Sequence, residues 1–255
     1  MILITGATSG IGEACARAFA ASGKDLWLMG RRAERLQSLA AELRTAHRVE
    51  VRHTVLDVRD REAFRDLATR ESSSLERVET CIVNAGLALG LEPLQEGTSE
   101  DWEQMIDTNL KGALWTTELL LPFFTRANRG HFIFMGSVAA RWMYARGNVY
   151  SATKAALHAL AESLRLDLLG SRIRVSTLAP GLVETEFSRV RFKGDEQRAG
   201  AVYSGLEPLS PGDVADAALW VATRPEHVTI QELVIYPTAQ ASPSQVARTP
   251  ATPPR

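Results

Sequence analysis

The segment Thr5-Gly6-Ala7-Thr8-Ser9-Gly10-Ile11-Gly12 constrains this chain more than any other. It follows an apolar run, Ile2 to Ile4, and opens a helical stretch from Glu13 to Ser22, which Gly23 ends in the C′ position. A strand that enters a glycine-rich turn and leaves as a helix presents free backbone N–H groups and the positive end of a helix dipole. The glycines permit the tight turn and the close approach of backbone to a pyrophosphate. This context favours a dinucleotide site, although the spacing is T-G-x-x-x-G-x-G rather than G-x-G-x-x-G.

Further along, apolar runs alternate with amphipathic stretches. Leu26 to Met29, Val49 to Val55, Cys81 to Val83, His131 to Met135, Ile173 to Leu178 and Glu232 to Tyr236 read as strands. Between them lie helices at Ala33 to Thr45 (Leu36, Leu39, Ala40 and Leu43 at helical spacing), Glu62 to Glu71, Tyr150 to Leu169 and Pro211 to Ala222. A long helical region from Ser99, its expected N-cap, runs to about Phe124, and Pro122 is expected to bend or end it. Continuous rather than alternating apolar strands imply a parallel sheet covered on both faces. The expected fold is therefore α/β, a doubly wound Rossmann-type sheet of about seven strands, with its ligand at the strands' carboxyl ends. Residues 1–237 read as one domain, and residues 238–255, rich in Pro, Ser and Thr, as a flexible tail.

The balance of 29 basic against 30 acidic residues argues against nucleic-acid or polybasic membrane binding. No apolar run reaches the roughly 20 residues that span a bilayer. Without a visible secretory signal, the expectation is a cytoplasmic protein. Cys15 and Cys81 form no metal or disulfide pattern, and His47, His53, His131, His158 and His227 show no ligand spacing, so no metal is expected.

The second strand ends Met29-Gly30-Arg31-Arg32, where an NAD enzyme usually carries a carboxylate for the ribose 2′-hydroxyl. Two guanidinium groups suit a 2′-phosphate instead, and Ser9 can add a hydroxyl. NADP(H) is the expected cofactor, with Gly6, Thr8, Ser9, Gly10, Ile11, Gly12, Arg31 and Arg32 binding it. Asp57 and Val58 would flank the adenine, and Asn84, Ala85 and Gly86 would lie along its ribose. Tyr150 and Lys154, four apart on a helix, share one face. A tyrosine works as a general acid or base when its pKa, near 10, is pulled toward neutral, and a close ammonium favours the tyrosinate. Ser137 ends the fifth strand, where its hydroxyl can hold a carbonyl oxygen, and Asn109 on the long helix can anchor a water leading to Lys154.

The ordered set TGATSGIG, Asn84-Ala85-Gly86, Asn109, Ser137, Tyr150-x-x-x-Lys154 and Pro180-Gly181 with Thr185 resembles the short-chain dehydrogenase/reductase family from Ile2 to about Pro237. The one departure is Val83, where many members have a second Asn. The resemblance implies that Tyr150 transfers the proton and Ser137 orients the carbonyl. It implies that Lys154 holds the nicotinamide ribose and lowers the tyrosine pKa, while Asn109 completes the relay. Pro180, Gly181, Val183 and Thr185 would hold the nicotinamide end. A homotetramer is also implied, with the long helices packing across subunits.

Narrower segments resemble the NADP-dependent 3-hydroxy acid dehydrogenases, a subgroup that includes serine and allo-threonine dehydrogenases and malonic semialdehyde reductases. These are Asn84 to Gly90, Glu100 to Trp102, Met105 to Asn109, Gly147 to Tyr150 and Val190 to Asp195. A substrate carboxylate would need a cation, for which Arg191, Lys193, Arg141 and Arg146 are candidates. Trp142 and Tyr144 would wall the pocket beside Ser137. The alternatives are a reductase of other carbonyls (3-oxoacyl thioesters, sugars or ketones) and a non-catalytic NADP sensor, against which the intact tetrad speaks.

Overall fold

A computed structural model provides the fold, and it describes residues 1–249. In chain order its elements begin with β1 (Ile2–Thr5), α1 (Gly10–Ala21), β2 (Leu26–Gly30), α2 (Ala33–His47), β3 (Val51–Val55), α3 (Arg61–Arg70) and the single turn α4 (Ser72–Leu75). β4 (Thr80–Val83) leads to α5 (Ser99–Ile106), a π turn (Asp107–Lys111) and α6 (Gly112–Ala127). β5 (Gly130–Met135), α7 (Asn148–Asp167), β6 (Ile173–Pro180), α8 (Glu186–Arg191), α9 (Glu196–Ala201), α10 (Pro211–Ala222) and β7 (Glu232–Ile235) follow.

The seven strands form one parallel sheet in the order β3-β2-β1-β4-β5-β6-β7. Strand residues alternate between two cores. Ile2, Ile4, Leu26 and Leu28 pack with Cys15 and Phe19 of α1, Leu36 of α2 and Val214 of α10. Leu3, Trp27, Met29, Phe132 and Phe134 pack with Phe64 of α3, Phe124 of α6 and Leu157 of α7 on the other face. Each such side chain contributes about 1.5–3 kcal/mol by leaving water. The strand order reverses between β1 and β4, so a crevice opens at their carboxyl ends.

Thr98, not Ser99, caps α5, its hydroxyl accepting from Asp101 N at 3.4 Å. Pro122 does not end the helix, which continues to Ala127. Burial of Leu119, Leu120 and Phe124 around it outweighs the roughly 3 kcal/mol that an internal proline costs. Residues 238–249, expected as part of a flexible tail, lie against the domain: Ala247 N donates to Ala239 O at 2.8 Å, Thr249 N donates to Gly205 O at 2.8 Å, and the Gln240 side chain is buried. Residues 250–255 lie outside the described residues.

Candidate active site

The glycine turn after β1 is shaped by left-handed backbone at Gly6 (φ 67°) and Gly10 (φ 54°). Ser9 precedes α1 in extended conformation and its hydroxyl makes no capping bond, so the first turn, which lines the cavity at Gly10 and Ile11, has no side-chain cap. Gly12 works differently from its neighbours. A Cβ there would come within 2.3 Å of Gly6 O and 2.5 Å of Asn84 Nδ2, so it serves close packing rather than ligand contact. Asn84 is a clamp: its Nδ2 donates to Thr5 O at 2.9 Å, while its own N–H donates to Thr5 Oγ1 at 3.0 Å.

A cavity of about 640 Å³ runs along the carboxyl ends of the strands. Gly6, Thr8, Ser9, Gly10 and Ile11 line it, as do Arg31, Arg32, Asp57 and Val58. Asn84, Ala85, Gly86, Ser137, Tyr150 and Lys154 follow, then Pro180, Gly181, Val183 and Thr185. Thus most of the expected cofactor residues are brought together. The set fits a dinucleotide: the N-terminus of α1, guanidinium groups after β2 and the tyrosine on α7 all line one cavity.

The two arginines differ. Arg31 is 59% exposed and lies 4.0 Å from Asp57 Oδ2, while Asp57 is chiefly bound by Arg59. Arg32 donates to Thr8 Oγ1 and Thr8 O, each at 3.1 Å, and to Glu186 Oε2 at 2.8 Å. Glu186 also receives Arg35 at 2.9 Å, and these bonds hold its carboxyl down at about 2. Glu186 lines the cavity and joins Arg32 and Arg35 without any local sequence signal, since it reaches Arg32 across 154 residues.

Tyr150 is buried, its ring edge-on to Phe187 with centroids 5.5 Å apart. Burial pushes its phenol up to about 12, partly offset by the adjoining Ser137 hydroxyl and by Arg191. Lys154, expected to act on this group, is bonded to the end of β5. Lys154 Nζ donates to Met135 O at 2.7 Å, and burial brings it down to about 8. Asn109, at the π turn, does not line the cavity. Its amide is taken up by Leu87 N and O, both at 2.8 Å, and by Thr153 Oγ1 at 3.0 Å. It adjoins Lys154 only across Gly86, whose absent Cβ would lie 3.2 Å from Asn109 Oδ1 and 3.4 Å from Lys154 Nζ.

Of the substrate candidates, Tyr144 and Arg191 line the cavity. The Arg191 guanidinium lies 5.7 Å from the Tyr150 ring centre and 5.6 Å from that of Tyr144, while Nε holds Gly90 O at 2.9 Å. Trp142, Arg146, Lys193 and Arg141 are not among its lining residues. Trp142 is 46% exposed and packs on Tyr236, and Arg146 is exposed in left-handed backbone (φ 68°). Lys193 pairs with Asp101 at 2.8 Å, and Arg141 pairs with Glu232. Gln240 was not foreseen: its Oε1 accepts from Leu182 N at 2.8 Å beside Gly181, inside a tail whose composition gave no sign of order.

Fold and cavity together define a nucleotide-binding α/β enzyme in which a buried tyrosine lines the cavity. The chain belongs to the short chain dehydrogenase family, whose model matches residues 1–196. It is 46% identical over 242 residues to the NADP-dependent 3-hydroxy acid dehydrogenase of Salmonella typhi, covering 94% of this chain and 96% of that one. It is 45% identical to sulfoacetaldehyde reductase 2 of Chromohalobacter salexigens, covering 94% and 95%. Among solved structures, the closed form of serine dehydrogenase complexed with NADP+ superimposes with a TM-score of 0.89 at 44% identity, covering 94% and 96%. Among the described residues no helix is long and apolar enough to cross a membrane, and no His, Cys, Asp and Glu cluster could hold a metal ion.

Proposed function

We propose that this chain is an NADP(H)-dependent oxidoreductase acting on small 3-hydroxy acids and the corresponding semialdehydes or keto acids. The observation that carries the acid specificity is Arg191, a cation over the Tyr150 ring in the same cavity. The relatives named above support it, since 3-hydroxy acids, serine and sulfoacetaldehyde all carry an anionic group. The open N-terminus of α1, Arg31 and Arg32 would hold the pyrophosphate and 2′-phosphate, Lys154 the nicotinamide ribose, and Pro180 to Thr185 the carboxamide. NADPH, when bound, supplies the hydride.

The protein's own residues manage the oxygen. Ser137 orients the carbonyl, and Tyr150, protonated at neutral pH in its buried setting, donates the proton to it. Arg191 steadies the substrate carboxylate by a charge-assisted bond. The assembly is a homotetramer in the cytoplasm on this reading, and light scattering checks the former.

The test is NADPH oxidation with malonic semialdehyde and NADP reduction with L-serine, L-allo-threonine and 3-hydroxypropionate, each beside an uncharged analogue. Turnover should require the carboxylate, and Arg191→Gln should raise KM for the acids about tenfold or more, as loss of a charged hydrogen bond implies. Equal turnover of uncharged carbonyls, unmoved by Arg191→Gln, would sink the acid reading.

A further inference from the structure

The helix that presents Tyr150 and Lys154 carries one more polar side chain on the same face. His158 follows Lys154 by one turn, so the three residues form a stripe at i, i+4 and i+8. Each of the last two grips the end of β5. Lys154 Nζ donates to Met135 O at 2.7 Å, and His158 Nε2 accepts from Ser137 N at 3.4 Å. Between them, Gly136 N donates to Leu178 O at 2.7 Å. The His158 ring lies so close to this strand end that a Cβ on Gly136 would come within 2.1 Å of Nε2.

With Nε2 accepting, the ring proton sits on Nδ1, which faces Glu232 Oε1 at 3.5 Å. Glu232, on β7, is only 16% exposed and receives Arg141 Nε at 2.8 Å. Arg141 closes the Val138–Ala140 turn that begins at Ser137, whose hydroxyl accepts from Ala139 N at 3.1 Å. The contacts therefore make a closed ring: Ser137, its turn, Arg141, Glu232, His158 and back to Ser137 N. Arg141, His158 and Glu232 are not among the residues lining the cavity. Burial, aided by Lys154 and Arg141, outweighs Glu232 and keeps His158 neutral with its pKa at about 4, as an acceptor role demands.

We infer that His158, held by Glu232 and Arg141, is a positioning residue that fixes the Ser137 turn from behind and so sets where the substrate carbonyl is held. The inference rests on the reading of Ser137 as the carbonyl-orienting hydroxyl. Stiff support of this kind acts on kcat, because small misplacements of a reacting group are costly while cofactor contacts stay intact.

A double-mutant cycle tests it with malonic semialdehyde and NADPH, using His158→Leu, His158→Gln, Ser137→Ala and the combination of His158→Leu with Ser137→Ala. His158→Leu should lower kcat about 10- to 100-fold, as a displaced reacting group does. Its NADPH affinity should stay within about twofold of the native value, a control on the intact cofactor site. His158→Gln, which can accept from Ser137 N and donate to Glu232, should recover most of kcat. In the Ser137→Ala background the Leu change should cost little more, because both act through one group. Additive losses, or an unchanged kcat in His158→Leu, would overturn the inference. If the Leu variant does not fold, Glu232→Gln takes its place in the cycle. Native turnover in Ser137→Ala would instead overturn the reading of Ser137, a separate and recognisable result.

Discussion

Tyr150 holds its proton because of where it is rather than what stands beside it. Its burial against Phe187 raises the phenol to about 12, and the Ser137 hydroxyl and Arg191 offset only part of that. A protonated phenol is the form that carbonyl reduction consumes, so the free chain is set as an acid. Tyr150→Phe keeps the ring and its packing and deletes the proton. We expect kcat to fall by about 10²- to 10⁴-fold, the usual worth of a placed general acid. NADPH binding, followed by fluorescence titration, should persist. Native turnover in that variant would move the proton donor elsewhere. That Tyr150, Lys154 and Ser137 share one cavity was legible from the sequence, because Y-x-x-x-K is a local spacing and Ser137 follows an apolar run. The Lys154 contact to Met135 O was not, because a carbonyl 19 residues away leaves no mark in a motif.

At the scale of elements, legibility followed burial. Strands such as Phe132 to Phe134 lie between two helix layers and read as unbroken apolar runs. The short α8 and α9 did not read as helices, since few of their residues are buried and their termini rest on caps by Thr185 and Asp195. Yet α8 is central to the site, because Phe187 and Arg191 meet Tyr150 while Glu186 grips Arg32 and Arg35. The last link has a defined pH dependence. The Glu186 carboxyl falls from an ordinary value of 4.5 to about 2 in the folded chain, through Arg32 first and Arg35 next. A depressed carboxyl stabilises the fold above its unfolded value and loses that contribution as pH falls through the folded one. The stability gap between the native chain and Glu186→Gln should therefore be widest above pH 4.5 and shrink toward pH 2. Urea midpoints taken across that window check it, and a gap that is constant with pH would mean that the ion pairs do not hold α8.

Across the whole molecule, three segments distant in sequence roof the cavity, and they are bonded to one another. Gly90, after β4, holds Arg191 at the end of α8 through Arg191 Nε to Gly90 O and Gly90 N to Arg191 O, both at 2.9 Å. The stretch after α9 holds the C-terminal segment through Arg248 Nη2 to Val202 O at 3.0 Å and Thr249 N to Gly205 O at 2.8 Å. Gln240 fastens that segment at its other end to Leu182 N at 2.8 Å, in the turn after β6 that lines the cavity. A tail rich in Pro, Ser and Thr cannot bury much apolar surface, which is why its composition reads as loose. What orders residues 238–249 is a handful of long-range polar bonds, and no composition or period encodes those. Deleting residues 238–255 removes all of them at once. The Leu182 N–H then loses its acceptor, at a cost of about 1–3 kcal/mol where water does not replace it. In a chain of this size each kcal/mol shifts Tm by about 2–4 °C. The shortened chain should therefore melt lower and bind NADPH more weakly, and Gln240→Ala should reproduce part of both effects. If the shortened chain matches the full one in Tm and NADPH affinity, the segment covers the cavity without holding it.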